Sequence, residues 1–222
     1  MARKLVNGTV PYIGSAFGTS KAFTGISNAS SAVFAFETGH GIAVGDFFQI
    51  NTCGWASLAG RVFRASAVDT DNVTVAGLDT SSTTRFPAAG GAGTAAEVST
   101  WVAMQQVNAD GLTIEGGEPE YYTGQDLDDV EGLKFQLPIG KTPIIFRAVV
   151  DDDQSLTYWT AVHAAEDAKT NYPLKLVYPG STGVAVGTGL WNVSAAPDMK
   201  GNSVQKRTIT VGLARKFSEY TS

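Results

Sequence analysis

Nucleophilic catalysis by serine or cysteine needs a base, and this 222-residue sequence offers two histidines, His40 and His163. His40 with Cys53 is the one conceivable reactive pair. His40 stands in a Gly-His-Gly turn and Cys53 beside Gly54-Trp55 reads as a small half-buried residue, so packing outweighs catalysis for both. A lone cysteine also excludes an intrachain disulfide and a cysteine-built metal site, and it suits a reduced compartment. Gly91-Ala-Gly93-Thr-Ala-Ala96 has the spacing of a dinucleotide-binding turn, which must follow a strand and open a helix; here it follows Pro87-Ala-Ala. Gly140-Lys141-Thr142 imitates the end of a phosphate-binding loop, but Phe135 falls at its first glycine position and Pro143 blocks the helix. Asp69-x-Asp71 hints at a calcium loop, yet Thr74 and Thr80 occupy the positions that need Gly and Glu, so a hairpin turn is expected. Trp55, Trp101, Trp159, Trp191 and Tyr121-Tyr122 could form a sugar-binding or base-stacking platform, although core packing is the commoner use of such residues. No catalytic, cofactor-binding or metal-ligating residue is expected, and the chain reads as no enzyme.

Charge is the more informative signal. The net charge is -5, and charged residues make up 17%, which argues against a protein that grips nucleic acid non-specifically. The acids are bunched: Asp110, Glu115, Glu118, Glu120, Asp126, Asp128, Asp129 and Glu131 lie together with no Lys or Arg among them. Lys200, Lys206, Arg207, Arg215 and Lys216 form a basic run near the end of the sequence. Such segregation describes either solvated surfaces or a homo-oligomer in which the acidic segment of one copy meets the basic edge of the next.

The elements that must carry these residues are mostly strands. Short alternating runs bounded by Gly, Pro and Asn/Asp clusters predict an all-β sandwich or barrel. Strands are expected near 33–36, 46–50, 61–68, 72–76, 101–107, 133–137, 143–150, 174–178, 190–194 and 208–217. Leu133, Phe135 and Leu137 share one face, as do Ile144, Phe146, Ala148 and Val150, and Ile209, Val211, Leu213 and Phe217. One helix is expected near 155–169, capped by Asp153 or Ser155, with Leu156, Trp159, Val162 and His163 on the face that packs across a sheet. The small-residue stretch 86–96 reads as a linker. No stretch approaches the roughly 20 apolar residues of a membrane span, and no secretory signal is expected, so the chain reads as soluble.

Several stretches together resemble the major tail tube protein of long non-contractile (siphovirus-type) phage tails. They are the opening Gly8-Thr-Val-Pro-Tyr-Ile-Gly14, the acidic segment before the strands at 133–137 and 143–150, the Trp159 helix and the closing strand from Thr208 to Phe217. Gly39-His-Gly-Ile-Ala-Val-Gly-Asp46, the stretch from Gly54 to Phe63 and that from Leu78 to Thr84 resemble a small β-barrel module of phage structural proteins. That module is related to the first catalytic cysteine half-domain of ubiquitin-activating enzymes. The resemblance implies a tail-tube β-sandwich domain at 1–20 and 99–222 and an inserted β-barrel decoration module at 21–98.

It further implies a virion protein, assembled in the bacterial host cytoplasm, whose homohexameric rings stack into a tube. Its partners would be itself, the tape measure protein, phage double-stranded DNA passing through the lumen without sequence-specific binding, and the tail terminator and distal tail proteins. No membrane partner, cofactor or metal is implied. Asp126, Asp128, Asp129 and Glu131 would line the lumen or, preferably, a ring-to-ring contact, with Lys206, Arg207, Arg215 and Lys216 at subunit interfaces. Truncation of residues 1–9, or of the tail after Arg215, is expected to weaken assembly more than folding. The alternative readings are a tail terminator or distal tail ring of the same virion, and a carbohydrate-binding β protein.

Overall fold

The structure, a computed structural model, describes residues 8–125, 134–181, 183–198 and 203–221. The first strands are β1 (Val10–Phe17), β2 (Lys21–Ile26), β3 (Val33–Phe36), β4 (Phe47–Cys53), β5 (Val62–Val68) and β6 (Asn72–Val75). Next come β7 (Gly93–Ala103), β8 (Val107–Glu115), β9 (Pro119–Gly124), β10 (Phe135–Lys141) and β11 (Ile145–Asp151). Helix α1 (Tyr158–Ala168) precedes β12 (Tyr172–Val177), β13 (Val184–Val193), β14 (Lys206–Leu213) and β15 (Ser218–Tyr220). The protein is thus nearly all β with one α-helix among the described residues, as its alternating runs predict.

Strands β2, β3, β6, β5, β4 and β7 pair in that order, and β7 returns to β2, closing a six-stranded barrel. Its interior is filled by aromatic rings. Phe34 meets Phe23 edge-on at 5.2 Å and Phe48 at 5.5 Å, and Phe36 and Phe63 complete the cluster. Phe34 and Phe36 alternate with half-buried residues along β3, whereas Phe48 and Phe63 have buried neighbours on β4 and β5, and together they fill a small barrel with its own side chains. The hairpin expected at Asp69-x-Asp71 joins β5 to β6, with the Asp69 N–H donating to the Asn72 carbonyl at 2.8 Å.

The second half of β7 leaves the barrel and pairs with β1, which leads through β12, β13, β14 and β11 to β8. Helix α1 covers one face of this sheet. Tyr158, Trp159, Val162 and Ala165, spaced to share a helical face, pack with Ile13, Leu174, Leu176, Trp191, Ile209 and Val211. The helix begins at Tyr158, later than expected, and its N-cap Thr157 makes no side-chain cap bond. Asp153 is spent earlier, accepting the N–H and the hydroxyl of Ser155 at 3.1 and 2.6 Å. Those bonds, from the side chain first, also hold the Asp153 carboxyl below its ordinary range.

The barrel covers the opposite face of the same sheet. Val62, Val186 and Tyr220 form a small buried cluster at this seam. The Thr188 hydroxyl donates to the Gly60 carbonyl at 2.5 Å, and the Arg61 guanidinium to the Ser218 hydroxyl at 3.0 Å. Between the layers the Lys175 ammonium lies 4.3 Å from the Trp101 ring centroid, 4.8 Å from that of Tyr12 and 5.6 Å from that of Phe47. No ion pair involves it among the described residues. Burial pulls this ammonium down to about 8, so desolvation outweighs the ring faces that favour its charge.

The stretch expected to be a linker is instead structural. From Gly93 onward it enters β7, and Ala95 and Ala96 are buried. Small residues are needed because the strands approach closely there: a Cβ at Gly93 would sit 2.0 Å from the Thr52 carbonyl oxygen and 2.8 Å from the Phe23 ring. The strand expected at 101–107 is likewise two strands, β7 and β8, separated by a turn at Gln106 with positive φ. The tail after Arg215 holds β15, and Tyr220 is buried in the seam, so its truncation removes part of the fold.

Gly93→Val is expected to destabilise the protein by about 1–3 kcal/mol through overpacking at the barrel closure; an unchanged urea midpoint would show that the closure tolerates bulk. Lys175 gives a pH test. A lysine held low in the folded state weakens the fold while charged, and the penalty fades as pH rises from about 8 to 10.5. Lys175→Met is therefore expected to exceed the wild type in stability at pH 7, with the gap closing towards pH 10. Urea unfolding at pH 7, 9 and 10 checks this, and a gap that does not change with pH contradicts it.

Candidate functional site

The feature with the least support from its own chain is an arm built by continuing the β8–β11 pair. Ile145 lies opposite Glu115 in that pair, and Lys141 lies opposite Pro119 where β9 and β10 resume in the same register. Between them the ribbon is bent by Gly116 and Gly117, both at positive φ; a Cβ at Gly116 would collide with the Pro143 carbonyl oxygen. Thr142 bridges the bend, its N–H donating to the Glu118 carbonyl at 2.8 Å and its Oγ1 accepting the Glu118 N–H at 3.0 Å.

Strands β9 and β10 form a two-stranded sheet with no buried residue. The arm is nevertheless rich in large apolar side chains. Tyr121, Tyr122, Leu137 and Ile139 are all more than half exposed, Ile139 at 67%, and Phe135 is 37% exposed. Tyr122 lies opposite Leu137, and its ring lies 6.4 Å from that of Phe135, so these make a patch on one face. Leu133, Phe135 and Leu137 read from sequence as a core face. Leu133 lies outside the described residues, and the other two are exposed because no described residue packs over them. A lone ribbon is marginal in water, and a contiguous apolar patch of this kind marks an interaction surface.

A second open feature adjoins the arm. Strand β8 pairs with β11, and its other edge is unpaired among the described residues. The outward face of β14, β11 and β8 is covered by neither helix nor barrel. It presents a row of Thr210, Arg147 and Thr113, with Arg147 3.8 Å from Glu115.

The charged candidates separate once placed. Asp110, Glu115, Glu118 and Glu120 are exposed along β8 and β9. Asp126, Asp128, Asp129 and Glu131 fall between β9 and β10 in the sequence and lie outside the described residues, as does Lys200. Arg207 is engaged within the chain, its Nε donating to Asp152 at 2.8 Å and its Nη1 to the Ser194 carbonyl at 3.1 Å. Lys206 begins β14 opposite Asp151. Arg215 and Lys216 are exposed beyond the other end of β14, where Lys216 with Arg61 and Arg85 lines a cleft of about 300 Å³. The basic run is therefore two clusters separated by the length of a strand.

The residues with catalytic potential go to structural work. His40 Nδ1 accepts the Ile42 N–H at 3.1 Å, and its Nε2 faces the Asp69 carbonyl at 3.4 Å, so both ring nitrogens are committed away from Cys53. Burial pushes the Cys53 thiol up, away from the reactive thiolate. His163 stacks on Trp159 at 5.6 Å and sits 3.6 Å from Glu166. Trp55, Trp159 and Trp191 are buried and Trp101 belongs to the Lys175 cage, so the tryptophans build no exposed platform. Among the described residues no group of three or more acids, histidines and cysteines is placed to hold a metal, and no helix is long and apolar enough to cross a membrane.

Comparison with known proteins agrees with a surface made for assembly. The sequence model of a family described as phage tail tube protein matches residues 53–222, about three quarters of the chain. No curated protein matches the sequence. The match begins at the end of β4 and runs through the shared strand β7, the arm, α1 and the closing strands. The chain belongs to the phage tail tube protein family and is a structural subunit of the tail tube.

Proposed function

We propose that this subunit forms homohexameric rings that stack into the tube of a siphovirus-type tail, and that the arm is the element that joins copies. The observation that carries this reading is the exposed apolar face of β9 and β10, which a second copy would cover. The free edge of β8 offers unpaired N–H and C=O groups to a strand of a neighbour, so that sheets of successive subunits continue around a lumen. On this reading the Thr-rich face of β14, β11 and β8 turns to the lumen. Charge on it is close to balanced, with Arg147 beside Glu115 and Lys206 opposite Asp151, so passing DNA releases few counterions there and is not trapped.

Asp126, Asp128, Asp129 and Glu131 belong to the contact between rings, facing the exposed Arg215 and Lys216 of a neighbour, with Lys206 and Arg207 nearer the strand pairing. The six-stranded barrel corresponds to the decoration module at 21–98, resembling the small barrel related to the ubiquitin-activating half-domain and set into a tube domain of 1–20 and 99–222. The protein acts without catalysis. It is assembled in the host cytoplasm and works beside the tape measure protein, the genome, and the tail terminator and distal tail proteins.

Replacing residues 119–141 by an Asn-Gly turn tests the arm. Because β9 and β10 bury nothing in the body, the unfolding free energy is expected to stay within about 0.5 kcal/mol of the wild type. Electron microscopy is expected to show stacked rings with a central channel for the wild type and none for the variant. Tubes formed by the shortened protein would refute the arm's role, and a wild type that stays monomeric and is absent from tails would refute the tube itself.

A further inference from the structure

The cleft of about 300 Å³ that Lys216 shares with Arg61 and Arg85 opens between the barrel and β15. It gathers cations from three separate stretches: Arg61 just before β5, Arg85 ahead of the buried Phe86, and Lys216 between β14 and β15. Arg85 and Lys216 are exposed, and Arg61 is half-buried. The Arg61 guanidinium lies 4.7 Å from the Phe63 ring centroid, and its Nη2 donates to the Ser218 hydroxyl at 3.0 Å, so two contacts fix its direction. Its other guanidinium N–H groups have no acceptor among the described residues.

Two acids, Asp79 and Glu219, also line the cleft, and neither forms an ion pair with these cations. Asp79 is exposed, and its carboxylate accepts the Ser81 N–H at 2.9 Å. Glu219 stands on β15 between Ser218 and Tyr220, whose side chains both meet the barrel. Alternation therefore sends Glu219 to the other face, where burial and then the Glu219 charge raise the Tyr178 hydroxyl. Desolvation pulls the Arg61 guanidinium below its ordinary range; Tyr220 opposes this, while repulsion from Arg85 and Arg215 adds to it. No carboxylate offsets that repulsion. A guanidinium stays charged under these conditions, and a charge withdrawn from water is normally paired, so the group absent from Arg61 is an anion.

We propose that this cleft is an oxyanion site, in which Arg61 clamps a carboxylate or phosphate group and Arg85 and Lys216 close on it from the rim. The guanidinium fork offers parallel N–H donors that match two oxygens of one such group. Arginine and lysine side chains accept no hydrogen bond, and together they repel a cation. Two sources carry the fitting chemistry. One is free phosphate, and the other is the acidic segment of a second copy, with Asp126, Asp128, Asp129 and Glu131 close together in the chain. The site itself stands without the rings proposed above. Its use by the acidic segment rests on that reading, and would make the barrel part of the contact between copies.

Isothermal titration calorimetry of the full-length protein at low ionic strength separates these sources. The probes are inorganic phosphate, a synthetic peptide of residues 125–132, and the same peptide with its acids replaced by Asn and Gln. Phosphate and the acidic peptide are expected to bind, and the neutral peptide is not. Arg61→Gln is expected to weaken both anions about tenfold. Because Arg61 also packs on Phe63, a second variant carries Arg85→Gln with Lys216→Gln, both exposed; it is expected to keep the wild-type unfolding midpoint while weakening binding. Lys169→Gln, an exposed cation outside the lining, is expected to change nothing. Binding of phosphate without the peptide supports the site and removes it from the contact between copies. Binding of both by a protein that forms no rings supports the site and refutes the tube. Failure of both anions to bind overturns the proposal, as does binding that survives both cleft variants or falls equally with Lys169→Gln.

Discussion

One strand holds two sheets together. The first residues of β7 are bonded on one side to β2 and on the other to β4, and its later residues to β1. The backbone groups of a single extended segment are thereby satisfied in the barrel and then in the open sheet. Both the closure of the barrel and its attachment to the sheet depend on this strand staying narrow where it is flanked on both sides. Gly93, Thr94, Ala95 and Ala96 supply that narrowness, and beyond it Val98 is buried at the start of the open sheet's section. A larger residue at the first of these positions would force apart strands whose other contacts are already made.

The consequence is an uneven distribution of burial. Strands β1, β12 and β13 lie between α1 on one face and the barrel on the other, and from them come Ile13, Leu174 and Leu176 to the helix side and Val186 to the seam. The sheet then runs out beyond both covers. From β14 to β8 the helix side is still apolar, but the outward face mixes Thr113, Thr208 and Thr210 with the Arg147–Glu115 pair, Lys206 opposite Asp151, and half-buried Ile145 and Val149, and past Gly116 no described residue of the ribbon is buried. A monomer in water gains nothing from Tyr122, Leu137 and Ile139 in that position. Their retention makes sense for a chain whose folded unit is larger than one copy, which is what a tail tube is.

How much of this could be read beforehand depended on whether the signal was local. Alternation along a strand is local, and β3, β5, β6, β11 and β14 came out close to their expected places. The linker reading of 86–96 failed for a non-local reason: small residues mean flexibility when nothing is near them and close approach when two strands flank them, and sequence does not say which. The face of Phe135 and Leu137 failed similarly, since alternation shows that one face is apolar but not that the same chain buries it. The helix start was misplaced because Asp153 is a good cap residue that an earlier turn uses. The Lys175 cage left no trace in sequence, as it joins residues from strands far apart in the chain.

The placement also alters what the acidity means. With a net charge of -5, the resemblance left open a lumen lined by the acids Asp126, Asp128, Asp129 and Glu131. Glu115 lies 3.8 Å from Arg147 on the face that the proposed assembly turns to its lumen, while Glu118 and Glu120 stand on the arm, beyond the bend. Repulsion from a uniformly acidic channel would also act between neighbouring subunits and oppose ring closure. In the proposed assembly a wall of threonines and balanced charges would avoid both problems: it would bind phosphate too weakly to hold a moving duplex, and it would leave the carboxylates of the arm free to pair with opposite charge on a neighbour. Separating the surface that must not bind from the surface that must is a simpler solution than asking one patch of acid to do both.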